Sequence, residues 1–403
     1  MRFTRQVIGC FSIAAPVFML AMCLPGGSGA GTRLGSEPVS RLLTAKTQAA
    51  AGDLLKRELP GAGGRLLLVS PHDYLPELLL PLRRSGILAE LVVVLPFDNV
   101  LAQGHLDDLR AYLAKNGAAE DDRKSLAIDN GVIRGRLDGM SLTLCPLTAI
   151  PGPAADPLVV LDTAFFPAVY RNEVKTPMLE LARKLILTLR DRGVGAKTVL
   201  IFDAVGRPDF PLEHGYLASL LGEMLSDPGR FSGSPPEKWR LLAAADHSNF
   251  FSQYPDAMML YKRYLGMAPN DASACYKIAL MAMRDLDVDM SLQWVNRAVE
   301  ADPLYARVFS EIAGRLHRKE LFEDAERVLL AGLSKFPKDP LFATNLSALY
   351  VSRGEALREA GETAAAGDYF RMAAETEGAD PALRERAGKM ADAPAHDPPK
   401  TPE

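Results

Sequence analysis

Residues 269–302 read PNDASACYKIALMAMRDLDVDMSLQWVNRAVEAD, and similar units of 34 residues lie on either side. Prolines mark the units at that spacing: Pro235, Pro269, Pro303 and Pro337. We count the third residue after each proline as position 1, and positions 8, 20 and 27 then hold mostly small residues. Position 8 holds Ala245, Ala279, Ala313 and Ser347, position 20 holds Ala257, Ser291 and Ala325, and position 27 holds Tyr264, Ala298 and Gly332. Apolar residues recur at helical spacing within a unit. This fixed period is typical of stacked helix pairs, in which each pair buries its apolar face against the next.

These features resemble the tetratricopeptide repeat family, whose 34-residue unit has small residues at the same three positions and a proline at the boundary. The resemblance implies a right-handed, all-α solenoid of four helix pairs over residues 236–378. Seven extra residues in the fourth unit predict lengthened helices. The first unit is atypical, as terminal repeats often are, because Tyr264 replaces a small residue and residues 246–249 are polar. Residues 379–392 predict a capping helix, and the Pro-rich tail 393–403 predicts disorder.

In that family the first helices of the pairs line a concave face, which implies a role in protein–protein interaction. In the repeat register, six residues project onto that face: Tyr276, Met283, Arg284, Arg307, His317 and Arg318. Aromatic, methionine and arginine side chains suit an extended or helical segment with some negative charge. The Lys/Asn pattern with which family members clamp a C-terminal carboxylate is absent, so the resemblance does not imply binding of chaperone tails. The alternative is that the six residues are ordinary solvated groups.

The N-terminal half has a different rhythm. Short apolar runs alternate with helical patterns over residues 61–232, which predicts an α/β domain with a mostly parallel sheet. Near-continuous apolar runs predict buried strands over residues 65–70, 91–95, 158–162 and 198–203. Helices are predicted over residues 75–85 and 178–192. Turn sequences at Asn130-Gly131 and Asp138-Gly139 predict an antiparallel meander within the sheet or at its edge.

Polar residues follow the predicted strands, at the sheet edge where ligands of parallel α/β folds usually bind. They are His72, Asp73, Asp98, Asp162 and Asp203. Such side chains could hold a divalent metal. The arrangement is similar to the arginase and deacetylase fold, in which strand-end Asp and His residues bind metal. The chain departs from that family, because Asp162-Thr163-Ala164 lacks the second carboxylate of its Asp-x-Asp pair.

Two interpretations of this edge follow. Aspartates at strand ends often cap helices or turns, and in that case the domain is non-catalytic and needs no cofactor, which is the expectation we adopt. The alternative is a metal-dependent hydrolase that uses the strand-end Asp and His residues, with the repeats as a recruitment module.

The first 30 residues predict a targeting segment. Arg2 and Arg5 precede an apolar run over residues 7–24, and Ser28-x-Ala30 is an acceptable cleavage site. We expect a signal peptide removed after Ala30, and an exported, periplasmic or envelope-associated protein. An uncleaved membrane anchor and lipidation at Cys23 are the alternatives. Residues 31–60 predict a helical linker to the α/β domain.

Composition limits the possible partners. The 403 residues include 46 Lys and Arg against 50 Asp and Glu, a net charge of -4. Without an excess of positive charge, nucleic acid is not expected as a partner, and 4 cysteines exclude a disulfide scaffold. Membrane contact is expected only through the N-terminal segment, if that segment is uncleaved or lipidated. The sequence therefore predicts an exported scaffold that binds a protein or peptide partner through its repeats.

Overall fold

A computed structural model describes residues 22–23, 32–59, 63–71, 86–96, 101–152, 157–170 and 176–392. The chain divides into two compact units. The sheet unit comprises the residues up to Phe210 and Leu217–Pro235, and the helix-pair unit comprises Pro211–Tyr216 and the residues from Pro236 onward. The α/β domain predicted over residues 61–232 is corrected at both ends, because it also includes strands before residue 61 and yields Pro211–Tyr216 to the other unit. Within the described ranges, no helix is long and apolar enough to cross a membrane.

The sheet unit is built on a mixed sheet. Its strands are β1 (Met22–Cys23), β2 (Thr32–Arg33), β3 (Arg41–Ala45), β4 (Gly64–Val69), β5 (Leu88–Leu95), β6 (Ala127–Asp129), β7 (Val132–Leu137), β8 (Met140–Pro146), β9 (Leu158–Asp162), β10 (Gly195–Ala196) and β11 (Thr198–Phe202). The main sheet has the order β1-β3-β11-β9-β4-β5-β8-β7-β6, while β2 and β10 form a separate antiparallel pair. The six strands from β3 to β8 in that order run parallel. Antiparallel strands flank them at both edges.

Buried strands and amphipathic helices form the core of this unit. The helices are α1 (Gln48–Glu58), α2 (Gln103–Lys115), α3 (Glu120–Ser125), α4 (Phe165–Tyr170), α5 (Met178–Asp191) and α6 (Leu217–Ser226). Leu55 of α1 and Leu109 of α2 pack in one hydrophobic cluster with Leu66, Val93 and Leu200 of the sheet. The central strands are buried on both faces, which is why their sequences are nearly continuous apolar runs.

Two tight turns join the antiparallel strands at one edge of the sheet. All four turn residues have positive φ: Asn130 (49°), Gly131 (73°), Asp138 (49°) and Gly139 (82°). Positive φ at both central residues is what a type I′ hairpin requires, and Asn-Gly and Asp-Gly supply it at little cost. The predicted meander therefore extends the edge of the sheet.

The structure corrects the helical linker predicted over residues 31–60. Its first half contributes strand β3, which pairs in parallel with β11 and so belongs to the main sheet. Only the second half is helical: the Thr47 hydroxyl accepts a hydrogen bond from the Ala50 amide at 3.2 Å and caps α1. The helix predicted over residues 75–85 lies outside the described residues, and so does the targeting segment apart from residues 22–23.

The helix-pair unit follows the 34-residue period. Its helices are α7 (Glu237–Phe250), α8 (Tyr254–Met267), α9 (Ala272–Ala282), α10 (Val288–Ala301), α11 (Arg307–His317), α12 (Phe322–Lys335), α13 (Pro340–Glu359), α14 (Thr363–Glu375) and α15 (Pro381–Ala391). We call α7–α8, α9–α10, α11–α12 and α13–α14 pairs 1 to 4. The seven-residue insertion lengthens only the first helix of pair 4, which has 20 residues against 11 in α11, and leaves α14 with 13.

The small residues of the repeat lie where the helices of a pair meet. Residues at positions 8 and 20 of pairs 1 to 3 are at most 3% exposed. In pair 2 the Ser291 hydroxyl donates to the Ala279 carbonyl at 3.1 Å, so positions 20 and 8 are in direct contact. At position 27, a Cβ added to Gly332 would lie 2.8 Å from the Phe342 ring. Gly332 therefore admits no larger side chain without displacement of Phe342.

Candidate functional site

Two of the six predicted groove residues are buried, so the prediction that they line an open face is corrected. Tyr276 is 5% exposed and Met283 is 4% exposed. The Tyr276 hydroxyl donates to Glu311 at 2.9 Å, and its ring lies 6.2 Å from that of Tyr305. Tyr276 therefore fills the space between the first helices of pairs 2 and 3, where an aromatic ring contributes packing as well as a hydrogen bond.

Two further groove residues, Arg307 and His317, are half-buried. His317 shares a 2.7 Å hydrogen bond between its Nε2 and the Ser352 hydroxyl of pair 4, and its ring lies 5.6 Å from that of Phe322. The hydrogen bond to Ser352 ties pair 3 to pair 4. The side chain of His317 is thus engaged within the unit.

The remaining two, Arg284 and Arg318, are exposed and occupy position 13 of pairs 2 and 3, just after the first helix. The Arg284 guanidinium lies 3.5 Å from the centroid of the Tyr254 ring, a cation–π arrangement. The same position in pair 1 holds Phe250, which is 53% exposed. We call Phe250, Arg284 and Arg318 the position-13 row. It presents one apolar and two cationic side chains at a spacing of 34 residues.

A buried polar network at pairs 1 and 2 was missed by the sequence analysis. The Asp246 carboxylate accepts hydrogen bonds from Lys277 at 2.6 Å, Tyr261 at 2.5 Å and Tyr216 at 3.3 Å. Lys277 is 5% exposed, and its ammonium lies 4.8 Å from the Tyr216 ring centroid and 5.4 Å from that of Tyr261. A signal was available for Lys277, which is the one charged residue in the sequence of α9.

Titration of this network is suppressed by its surroundings. Burial, and then the Asp246 charge, raises the pKa of Tyr216 and of Tyr261 well above the ordinary value. Burial, and then the Lys277 charge, lowers the pKa of His214 to about 4. At neutral pH both phenols are therefore protonated donors and the imidazole is uncharged. With its ammonium held by a carboxylate and two aromatic faces, Lys277 is suited to structure rather than to nucleophilic chemistry.

At the strand ends of the sheet unit, Asp162 and Asp203 act as turn caps. Asp162 accepts a hydrogen bond from the Ala164 amide at 2.9 Å, and Asp203 accepts one from the Val205 amide at 3.2 Å. The second oxygen of Asp162 lies 3.3 Å from the Arg207 guanidinium. Burial raises the pKa of Asp162 to about 6, although Arg207 and the Ala164 amide oppose the shift. The two oxygens of Asp162 thus both have partners within the protein.

The other predicted metal ligands, His72, Asp73 and Asp98, lie outside the described residues. Among the residues that the structure does describe, no three His, Cys, Asp or Glu side chains are grouped so as to hold a metal ion. A metal site at this edge stays a prediction.

Comparison with known proteins gives only partial likenesses. No family model and no curated protein matches the chain. MamA, known from a crystal structure, shares 16% sequence identity with this chain over 38% of this chain and 87% of its own, with a TM-score of 0.24. Pseudomonas aeruginosa pilF shares 17% sequence identity with this chain over 38% of this chain and 71% of its own, with a TM-score of 0.22. YrrB, described as a TPR protein with an unusual peptide-binding site, shares 14% sequence identity over 44% of this chain and 84% of its own, with a TM-score of 0.24. TM-scores this low establish neither a shared fold nor a shared function.

Proposed function

We propose that this chain is an exported scaffold whose helix pairs form a tetratricopeptide-type solenoid and bind a segment of a partner protein. The position-13 row carries the proposal. In successive pairs the residues around it are buried or engaged, as Tyr276, Met283 and His317 are, whereas Phe250, Arg284 and Arg318 keep exposed side chains. Repetition of exposed groups at one register position gives a row that a single extended or helical segment could follow.

The chemistry of the row indicates the partner. Arginine guanidinium groups pair with carboxylates in a bidentate fashion, and an exposed phenylalanine gains by burial in an interface. We infer a segment that carries one apolar side chain followed by acidic residues. The stacking of Arg284 on Tyr254 restricts the guanidinium before binding, which reduces the entropy lost on binding.

Peptide selection tests this function. A random peptide library selected on the purified protein should yield acidic sequences with an apolar residue. The Arg284→Ala/Arg318→Ala variant should bind the selected peptides at least about tenfold more weakly, the loss expected from about 1.4 kcal/mol. Lys319→Ala/Lys338→Ala removes two other exposed cations and should bind as the wild type does. Equal losses in both double variants would mean that only net charge matters, and the assignment of the row would fail.

We propose that the sheet unit is non-catalytic. The cap and ion-pair contacts of Asp162 and the cap contact of Asp203 support this, because these carboxylate oxygens already have protein partners. The alternative, a metal-dependent hydrolase that would also use His72, Asp73 and Asp98, is tested by metal analysis of the purified protein. Stoichiometric Zn, Mn or Fe that is lost in the Asp162→Asn variant would favour the hydrolase.

We also propose that the protein is exported, because Arg2 and Arg5 are followed by an apolar run over residues 7–24. A reporter fused after Gly31 should leave the cytoplasm, and the mature protein should begin near Gly31. Recovery of the whole chain from the cytoplasm with Met1 intact would contradict export.

A further inference from the structure

The exposed face of α8 carries a shallow apolar depression that is widely open to solvent and has a positive rim. Its volume is about 610 Å³, and it is lined by Pro255, Met258, Met259, Lys262 and Arg263. Met259 is 54% exposed. Lys262 and Arg263 are exposed and, within the described part of the chain, have no ion-pair partner. We call these five residues the α8 patch.

The repeat allows the α8 patch to be compared with the same positions in pairs 2 and 3. Pro255 and Met259 of the patch, and Met267 further along α8, correspond to Asp289, Gln293 and Ala301 in pair 2. In pair 3 the same positions hold Glu323, Arg327 and Lys335. At these three positions pair 2 has two polar residues and an alanine and pair 3 has three charged residues; Asp289 pairs with Arg327 at 2.6 Å and Glu300 pairs with Lys335 at 3.4 Å. Pair 3 still exposes one leucine, Leu330, at the position of Lys262. The repeat architecture therefore does not require methionines on this face. Exposed methionines are typical of adaptable binding surfaces.

A second departure from the repeat lies in the turn between α9 and α10. The turn residue at this register position has a left-handed backbone in all four pairs: Ser252 (φ 62°), Leu286 (56°), Glu320 (61°) and Gly361 (84°). A bulky apolar residue is disfavoured there. Leu286 is nevertheless 42% exposed, and acidic residues flank it at 285 and 287. Leu286 is thus only partly covered by its own chain and has a disfavoured backbone conformation, and strained residues of this kind concentrate at binding sites.

The turn and the α8 patch are complementary in charge and polarity. The turn presents one leucine beside the Asp285 carboxylate, which is exposed and has no ion-pair partner among the described residues. The patch presents methionines beside two unpaired cations. We propose that the α8 patch of one molecule binds the turn at residues 285–287 of a second copy, with Leu286 in the depression and Asp285 paired with Lys262 or Arg263.

Such a contact is heterologous, because each molecule offers one patch and one turn. Heterologous contacts join molecules head to tail and build chains or rings rather than closed dimers. A contact of this size is expected to be weak, so that association becomes visible at roughly 10–100 µM, and salt should weaken it by screening the ion pair. This self-association uses none of the three residues of the position-13 row, although the turn adjoins Arg284 and the patch adjoins Tyr254, on which Arg284 stacks. The patch and turn variants described next leave Phe250, Arg284 and Arg318 unchanged, so binding of the partner segment can be measured separately.

Sedimentation equilibrium of complementary variants tests the proposal. The patch variant is Lys262→Glu/Arg263→Glu. The turn variant is Asp285→Asn/Leu286→Asn, in which Asn tolerates the left-handed backbone. The wild type should exceed the monomer mass increasingly with concentration, and each variant alone should stay monomeric. An equal mixture should form a dimer and nothing larger, since one variant retains the turn and the other retains the patch. The dimer would also establish that both variants are folded.

A matched control and the contrary results complete the test. Glu320→Asn changes the equivalent turn of pair 3 and should associate as the wild type does. A monomeric wild type at all concentrations, a variant that still associates alone, or a mixture that stays monomeric would each overturn the proposal. If the wild type is monomeric but sediments with anionic vesicles, and the patch variant does not, the patch serves a lipid surface instead and the proposal is likewise overturned.

Discussion

The helix-pair unit repeats each structural position several times, whereas the sheet unit presents each strand end once. Position 8 is filled by Ala245, Ala279, Ala313 and Ser347, which are all at most 3% exposed, so the same packing demand is met four times. At the sheet edge, by contrast, Asp162 has no second copy with which to be compared. In a repeat, an unusual residue can be recognised by comparison with the residues at the same position of the other pairs, and its structural neighbours can be inferred from theirs.

The departures from the row in pairs 1 and 2 illustrate this difference. Tyr264 stands where pairs 2 and 3 have small residues, and it is buried against Trp239 with its hydroxyl donating to Asp271 at 2.6 Å. Leu286 stands where the other pairs have Ser, Glu or Gly. The first departure is buried inside the unit, whereas the second leaves a leucine side chain 42% exposed. Repetition therefore separates packing residues from candidate binding residues.

The largest expected effect comes from a charge placed at a repeated small position. Ala325 is fully buried at position 20 of pair 3. In the Ala325→Arg variant, overpacking and the buried charge together should cost more than about 3 kcal/mol. Because neighbouring pairs stabilise one another, loss of structure should spread to pairs 2 and 4. Urea unfolding followed by circular dichroism, with hydrogen exchange to locate the loss, measures both effects.

The control for that change is Arg318→Ala, on the position-13 row. As an exposed site, it should alter the free energy of unfolding by no more than about 0.5 kcal/mol. A well-folded Ala325→Arg beside a damaged Arg318→Ala would mean that the register, and the faces assigned from it, are wrong.

A smaller effect is expected from the buried network. Lys277→Met leaves Asp246 without its cation and should destabilise the unit by about 2–3 kcal/mol, less than for a fully buried pair because the Asp246 side chain is 28% exposed. Adding Asp246→Asn should recover much of that loss, since no unpaired charge is then left. Urea unfolding of the two single variants and the double variant measures the coupling. Additive losses would show that Lys277 and Asp246 do not act as a pair.

In the sheet unit, the single buried carboxylate should appear as a pH dependence. The folded pKa of Asp162, about 6, exceeds the ordinary value of 3.8, so the folded state binds its proton more tightly. Its stabilising contribution is therefore complete below pH 3.8 and is lost as pH rises through 6. Asp162→Asn keeps the cap acceptor without the charge. Relative to that variant, the free energy of unfolding of the wild type should fall by on the order of 1–2 kcal/mol between pH 4 and 7.

The exposed Asp209, which pairs with the same Arg207, provides the control for this pH dependence. Asp209→Asn should lower the pKa of Asp162 only slightly and so shift the pH profile little, because Asp209 is a minor cause of the raised pKa and its side chain is 70% exposed. Unfolding in urea at several pH values measures all three proteins. A flat difference between the wild type and Asp162→Asn would contradict the assignment of the buried charge.

The parts of the fold set by local periodicity were predictable from the sequence. The helical C-terminal region, the strands at Leu158–Asp162 and Thr198–Phe202, and the hairpin turns all follow from spacing and turn residues. Strand β3 was missed because its short sequence, RLLTA, directly precedes the helix-forming residues of α1, and its pairing with β1 and β11 fixes it as a strand. Tertiary pairing overrides local propensity in such cases.

The site was less predictable, because exposure depends on neighbouring helices. The register placed Tyr276 and Met283 on the predicted groove, but the adjacent first helix of pair 3 covers Tyr276 and supplies Glu311. The network around Asp246 depends on Tyr216, which lies 30 residues away in a segment that the sequence assigned to the other domain. Long-range contacts of this kind leave no periodic signal.

The repeat register is tested most directly by one substitution made at two glycines of pair 3. A Cβ at Gly314 would meet only the Arg318 guanidinium at 3.7 Å, whereas at Gly332 it would lie 2.8 Å from the Phe342 ring. Gly314→Ala should raise the free energy of unfolding by roughly 0.5–1 kcal/mol through helix propensity. Gly332→Ala should lower it by about 1 kcal/mol or more, because overpacking outweighs the same gain. Opposite shifts in the two urea midpoints are the predicted result. Stabilisation by both substitutions would contradict the register on which the helix pairs and both proposed surfaces depend.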